Sequence, residues 1–169
     1  MIRGTRTRRP YPWPIGSRVT LDPVTLDPIV HEYEVRCSPE QAFEVYTEWI
    51  GDWWHRDYSA NPETLSTVTV EPRVGGRVYS THTAEGDLAW GKVTVWEPGR
   101  QFSYASTLAQ SREHPSTVTV TFDPIAPGCH VHFEHGGWSA ENVHDRRKFT
   151  DWPAILDRFA RLADESTGR

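Results

Sequence analysis

Apolar and polar positions along this chain recur with two different periods. Val118, Val120 and Phe122 alternate with Thr117, Thr119 and Thr121. Val131, Phe133 and His135 alternate in the same way with His130, His132 and Glu134. A period of two marks a strand with one covered face. The same reading predicts strands over Ile29–Arg36, Ser66–Glu71, Arg77–Thr83, Leu88–Trp96, Gln101–Leu108, Ser116–Phe122 and Cys129–His135. In the first of these, His31, Tyr33 and Val35 take one face and Glu32, Glu34 and Arg36 the other. Gly75-Gly76, Glu85-Gly86-Asp87 and Glu97-Pro98-Gly99-Arg100 supply the turn chemistry between consecutive strands.

The period changes near the C-terminus. Trp152, Ile155, Leu156, Phe159, Leu162 and Ala163 stand at i, i+3, i+4, i+7, i+10 and i+11, one face of a helix over Asp151–Ala163. Pro153 suits its first turn, and Asp157 and Arg161 form an i,i+4 pair on the opposite face. A helix this short is marginal alone in water, so its apolar stripe must rest on the sheet. A second helix is signalled after the first strand. Ser38 caps it, Pro39 opens it, Gln41 completes a capping box, and Ala42, Phe43, Tyr46, Trp49 and Ile50 follow at helical spacing. Gly51 breaks this run, and Trp53 and Trp54 come next in a short helix or loop over one end of the sheet. The expected class is α+β: a curved antiparallel sheet of about six to seven strands around a C-terminal helix.

Length and charge narrow the functional classes. At 169 residues one domain is expected over 29–165, with an extended Arg- and Pro-rich arm over 1–28. The net charge of −5, with no basic run beyond the first nine residues, argues against a nucleic-acid partner. No run of about 18 apolar residues is present to span a membrane. The N-terminus lacks the apolar region of a signal peptide, so a cytoplasmic protein is expected. Cys37 and Cys129 are too few for a disulfide scaffold and read as small buried thiols.

The aromatic content changes the picture further. Eight Trp, six Tyr and six Phe exceed what a chain of this size needs for a core, and the surplus suits the wall of a cavity. The candidate ligand-binding residues are Trp54, Trp90, Tyr104, His135, Trp138, Trp152 and Phe159, with Trp96 assigned to packing. His135 stands at an inward position where the alternation expects an aliphatic residue. Its ring either bonds to neighbouring protein groups or serves a ligand as a hydrogen-bond donor or acid–base group, with Tyr104 or His82 as partner. His130 and His132, with Glu134 on the same outward face, have a spacing compatible with metal ligation, but a solvated sheet face accounts for them and no metal is expected. There is no Gly-x-Ser-x-Gly nucleophile elbow and no Gly-rich phosphate loop before a helix.

The element order together with several short stretches resembles the START-like superfamily, also called helix-grip or SRPBCC. The branch it most resembles is the bacterial homologues of the C-terminal domain of the heat-shock-protein-ninety ATPase activator. The stretches are Cys37-Ser-Pro-Glu-Gln-Ala-Phe43, Trp49 through Trp53-Trp54, Gly75-Gly-Arg77, Trp90-Gly-Lys-Val93 with Trp96-Glu-Pro98, Ser116 through Phe122, His135-Gly-Gly-Trp138, and Asp151-Trp-Pro with Ile155-Leu-Asp157. The resemblance implies a sheet wrapped around the C-terminal helix with an elongated cavity between them. Members of the superfamily bind lipids, polyketides or hormones, some catalyse cyclisation or dehydration of polyketides, and the eukaryotic activator docks on its chaperone. Fold alone does not choose among these. The expectation is binding of a hydrophobic, aromatic or polyketide-like molecule under the helix, without cofactor. A cyclase/dehydratase-type enzyme, and an interaction module with a chaperone or homodimer partner, are the alternatives.

Overall fold

The structure, a computed structural model, describes residues 25–167. Most of the expected N-terminal arm, residues 1–24, lies outside the described residues. Seven strands form one antiparallel sheet: β1 (Ile29–Val35), β2 (Leu65–Val70), β3 (Arg77–His82), β4 (Gly86–Glu97), β5 (Gln101–Ser106), β6 (Ser116–Pro124) and β7 (Cys129–Gly136). Their order across the sheet is β1-β7-β6-β5-β4-β3-β2, so β2 to β7 make a meander and β1 closes one edge against β7. The helices are α1 (Pro39–Thr47), α2 (Ile50–Trp53), α3 (Val143–Arg146) and α4 (Trp152–Glu165), with a single 3₁₀ turn over Arg56–Tyr58.

The period-two runs are strands with the expected faces. Val118, Val120, Phe122, Val131, Phe133 and His135 are buried, whereas Thr119, Thr121, His130, His132 and Glu134 are half-buried on the other face. Helix α4 lays Trp152, Ile155, Leu156, Phe159 and Ala163 on the inner face of the sheet and beside α1. Burying side chains of this size contributes roughly 1.5–3 kcal/mol each, enough to hold a short helix that would melt alone. Edge strand β1 also fixes the helix by hydrogen bonds. Tyr33 Oη donates to Asp157 Oδ1 at 3.0 Å, and the Arg36 backbone N–H donates to Asp164 Oδ1 at 2.8 Å. Asp157 is thus drawn to Tyr33 rather than forming the expected pair with Arg161.

Two local expectations are revised. Ser38 Oγ caps α1 by accepting from the Gln41 N–H at 3.2 Å, but the capping box is only half made. The Gln41 side chain instead reaches the C-terminal end of α4, donating to the Ser166 carbonyl at 2.8 Å. β5 stops at Ser106, two residues before its expected end, because Ala109 takes a left-handed conformation, φ 54°, that turns the chain out of the sheet. The loop so formed, 107–115, becomes one wall of the site.

Candidate functional site

The hollow under the centre of α4 is filled by aromatic rings. Phe159 packs edge-on to Tyr46 at 5.0 Å between ring centroids and to Trp53 at 5.6 Å, and Trp152 lies 4.7 Å from Phe133. Tyr46 extends the cluster to Phe102 and Phe122. The cavity expected beneath the helix is therefore occupied by the protein's own side chains. One open volume, about 480 Å³, is a cleft beside this cluster that no residue of α4 lines; a second, about 510 Å³, lies on the other side of Trp54, between the 51–57 segment, β2 and Arg158 of α4, and is the more polar of the two.

Three segments build the cleft. The first follows α2, where Trp53 is anchored in the core by donating from Nε1 to the Val45 carbonyl at 2.8 Å. That leaves its neighbour Trp54 at the wall, followed by Tyr58, Ser59 and Ala60. The second segment runs along β3 and β4, contributing Ser80, Leu88, Ala89 and Trp90. In the pairing of these strands Val78 lies opposite Gly91 and Tyr79 opposite Ala89, so Trp90 is an extra residue in a β-bulge. A bulge re-aims the side chain it carries. Gly91 permits it, since a Cβ there would stand 2.8 Å from Val78 Cβ and 2.9 Å from Tyr104 Cδ2. Trp90 consequently faces Trp54, with centroids 5.1 Å apart and planes inclined by 34°. The third segment is the loop 107–112, whose first N–H, from Thr107, donates to the Trp90 carbonyl at 2.9 Å.

That loop is secured from behind. Lys148 Nζ donates to the Ala109 carbonyl at 2.9 Å and is paired with the buried carboxylate of Asp145. The Asn142 amide, also buried, lies 3.1 to 3.3 Å from the carbonyls of Gly137, His114 and Pro115. Gln110 lines the cleft and begins a buried polar chain. Its Nε2 donates to the Ser106 carbonyl and to Ser116 Oγ. Ser116 Oγ donates in turn to Gln110 Oε1 at 3.2 Å and lies 2.7 Å from His135 Nε2. The chain ends at Trp152, whose Nε1 donates to His135 Nδ1 at 3.0 Å. An acceptor Nδ1 puts the ring proton of a neutral His135 on Nε2, directed at Ser116.

These contacts locate the seven sequence-predicted residues. Trp54 and Trp90 line the cleft together. Tyr104 is buried behind Trp90, edge-on at 5.9 Å. Trp152 and Phe159 belong to the packed cluster under α4. Trp138 donates from Nε1 to the His135 carbonyl at 2.9 Å and packs on its ring. His135 has no exposed surface. Burial, reinforced by the Arg146 charge, lowers its pKa to about 3. Its hydrogen-bond partners are Ser116 and Trp152 rather than Tyr104 or His82, and His82 is itself engaged by Thr64 and Ser80. Trp96 packs edge-on to Phe43 and Phe102. On the outer face, His132 Nδ1 lies 3.1 Å from Glu32 and Nε2 lies 3.5 Å from Glu134, while His130 Nε2 lies 3.8 Å from Glu32. Among the described residues no group of three or more His, Cys, Asp or Glu is arranged to hold a metal ion.

Of the cleft's lining sequence reasoning named only Trp54 and Trp90; the residues it missed include Tyr58, Leu88, Thr107, Leu108, Gln110 and Arg112. Leu88, Thr107 and Leu108 lie in expected strands, Thr107 and Leu108 at the end of one that the structure turns out of the sheet. The others depend on the path of irregular backbone, which no period reports.

Residues 36–164 match the family described as activator of Hsp90 ATPase homolog 1-like protein. The chain belongs to this family. Comparison with curated proteins returns no match. Among solved structures, protein MLL2253 from Mesorhizobium loti is 24% identical, with a TM-score of 0.61 over 82% of this chain and 98% of that one. The Aha1 dimer from Colwellia psychrerythraea is 16% identical, with a TM-score of 0.61 over 83% of this chain and 98% of that one. An anthrahydroquino-gama-pyrone synthase, Txn09, complexed with SUM, is 24% identical, with a TM-score of 0.55 over 83% and 99%. At these identities the likeness is one of fold, and it agrees with the helix-grip arrangement of sheet and α4. Among the described residues no helix is long and apolar enough to cross a membrane.

Proposed function

We propose that the chain binds a hydrophobic, ring-bearing small molecule in the cleft between Trp54, Trp90 and the 107–112 loop. The observation that carries this is the facing pair of tryptophans on a wall of about 480 Å³ of open volume, with Leu88 and Leu108 beside them. Two indoles packed on each other, with aliphatic neighbours, form an apolar wall against which a planar ring can lie, and a few polar groups at one end suit its orientation. The fold-level likeness to a synthase whose name describes a fused-ring product is consistent with such a guest. Binding is favoured over catalysis because His135, the strongest acid–base candidate, is enclosed with both ring nitrogens engaged. We take 29–165 as the domain responsible, with 1–28 an arm ahead of it.

Titration with naphthalene-, anthracene- and anthraquinone-sized probes, followed by tryptophan fluorescence, tests the proposal. Binding should quench or shift the emission and weaken at least tenfold in Trp90→Ala. Saturable binding that Trp90→Ala leaves unchanged, or no binding by any probe size, would remove the cleft as the site.

A further inference from the structure

The charge and hydrogen-bond state of the cleft's own side chains specifies more than a hydrophobic guest. Most of its polar groups are already committed to protein partners. Tyr58 Oη donates to Asp151 Oδ2 at 3.2 Å. Ser59 Oγ donates to the Arg56 carbonyl at 2.7 Å, and Ser80 Oγ bonds the His82 ring at 2.9 Å. Gln110 is held by Ser106 and Ser116, and Ser111 Oγ accepts from the Glu113 N–H at 3.2 Å. Among the described residues no partner engages the hydroxyl of Thr107 or the guanidinium of Arg112, both on the loop after β5, and Ser111 keeps its own O–H to donate.

Among the described residues Arg112 is the one charged residue lining the cleft, in a chain whose net charge is −5. No carboxylate among the described residues pairs with it. Glu113 beside it enters the hydrogen bonds of the loop through its backbone N–H. Other arginines are engaged by the protein, as Arg73 and Arg77 are by Glu71 and Arg158 by the Trp53 carbonyl, whereas Arg36, Arg147 and Arg161 are, like Arg112, without an acid partner among the described residues but do not line the cleft. A guanidinium beside an apolar wall, without a counter-charge, offers a planar fork of donors to an incoming anion.

We infer that the guest is an aromatic acid: a planar ring system lying in the cleft against the packed Trp54–Trp90 pair that carries a carboxylate toward Thr107 and Arg112. The inference rests on the cleft reading above and adds the sign and placement of the ligand's charge. Because Arg112 is exposed, its contribution is screened and salt-dependent, and it serves to select among ring compounds rather than to supply most of the affinity.

The test compares anthraquinone-2-carboxylate with its neutral carboxamide, by calorimetry and tryptophan quenching, at low and at 0.5 M salt. The wild-type protein should bind the carboxylate about tenfold more tightly at low salt, as expected of one screened charge-assisted contact. The preference should shrink at high salt. It should vanish in Arg112→Gln, survive in part in Arg112→Lys, and be unaffected by Arg147→Gln, an exposed arginine outside the cleft that controls for overall charge. Equal binding of both probes, or a carboxylate preference that persists in Arg112→Gln, would overturn the inference while leaving the cleft as a ring-binding site. Failure of both probes to bind, with unchanged emission, would overturn the cleft reading and this inference with it.

Discussion

His135 makes a quantitative demand on the pH dependence of stability. In the unfolded chain its imidazole titrates near 6.5, whereas burial holds the folded pKa at about 3. Between these two values the unfolded state binds a proton that the folded state refuses. Stability from this residue is therefore present above pH 6.5 and is lost as pH falls toward 3. Applying the linkage relation to those two pKa values gives a loss of about 2 kcal/mol between pH 7 and pH 5. The perturbation is His135→Gln, which removes the titration. Its stability at pH 7 should fall by roughly 1–3 kcal/mol, since Trp152 Nε1 or Ser116 Oγ loses a buried partner. The diagnostic quantity is the slope with pH, because carboxylates and other histidines contribute equally to both proteins. Urea unfolding at pH 7, 6 and 5 should show the wild type losing about 2 kcal/mol more than the variant over that interval. Parallel losses in the two proteins would mean that His135 is not held neutral by burial, and the hydrogen-bond chain from Trp152 to Gln110 would have to be redrawn.

Other parts of the structure can be tested by simple substitutions. Phe159→Ala removes a fully buried ring from the cluster of Tyr46 and Trp53 and should cost about 3–5 kcal/mol in chemical denaturation. Ala109→Gly relieves the one non-glycine residue with positive φ among those described and should raise stability by about 1 kcal/mol, measured by thermal unfolding with the cleft intact. The Cys129 thiol is pushed up to about 12 by burial, with Cys37 nearby adding to the effect, so both thiols should react with Ellman's reagent at pH 8 only once urea unfolds the chain.

How much of this was legible in the sequence depended on periodicity. Strands and α4 bury one face each, so the solvent boundary writes a period of two or 3.6 into the residues, and Val118 to Phe122 and Trp152 to Ala163 could be read directly. His135 was legible as an anomaly, a polar group at an inward position, and it proved to be the centre of a hydrogen-bonded chain. What period could not tell was which rings pack on one another. Trp54 and Trp152 carry the same apolar signal, yet Trp152 closes the core against Phe133 while Trp54 is left beside open volume. The difference arises from the bulge at Trp90 and the left-handed turn at Ala109, both decided by long-range packing rather than by local pattern. Gln110 and Asn142 sit in polar stretches where nothing in their neighbours distinguishes a buried amide from a solvated one.

The position of the cleft follows from the same residues that fill the core. Trp53, Trp152, Phe159 and their companions occupy the hollow that a helix lying across a curved sheet would otherwise leave, and the cleft opens beside them, at the bulge of Trp90 and the turn at Ala109. Helix α4 nevertheless acts on that volume at one remove. Trp152 at its first turn fixes the tautomer of His135, His135 fixes Ser116, and Ser116 holds Gln110, which anchors the loop bearing Arg112. Every polar group in this chain is buried, and an unmatched member would cost more than a solvated one, so the loop is held in one arrangement before any guest arrives. A pre-formed wall spares the ligand the cost of ordering it. The grip of the helix on the sheet and the shape of the cleft are thereby a single structural property, and a change at Trp152 should be felt at Arg112 although the two residues belong to different walls of the molecule.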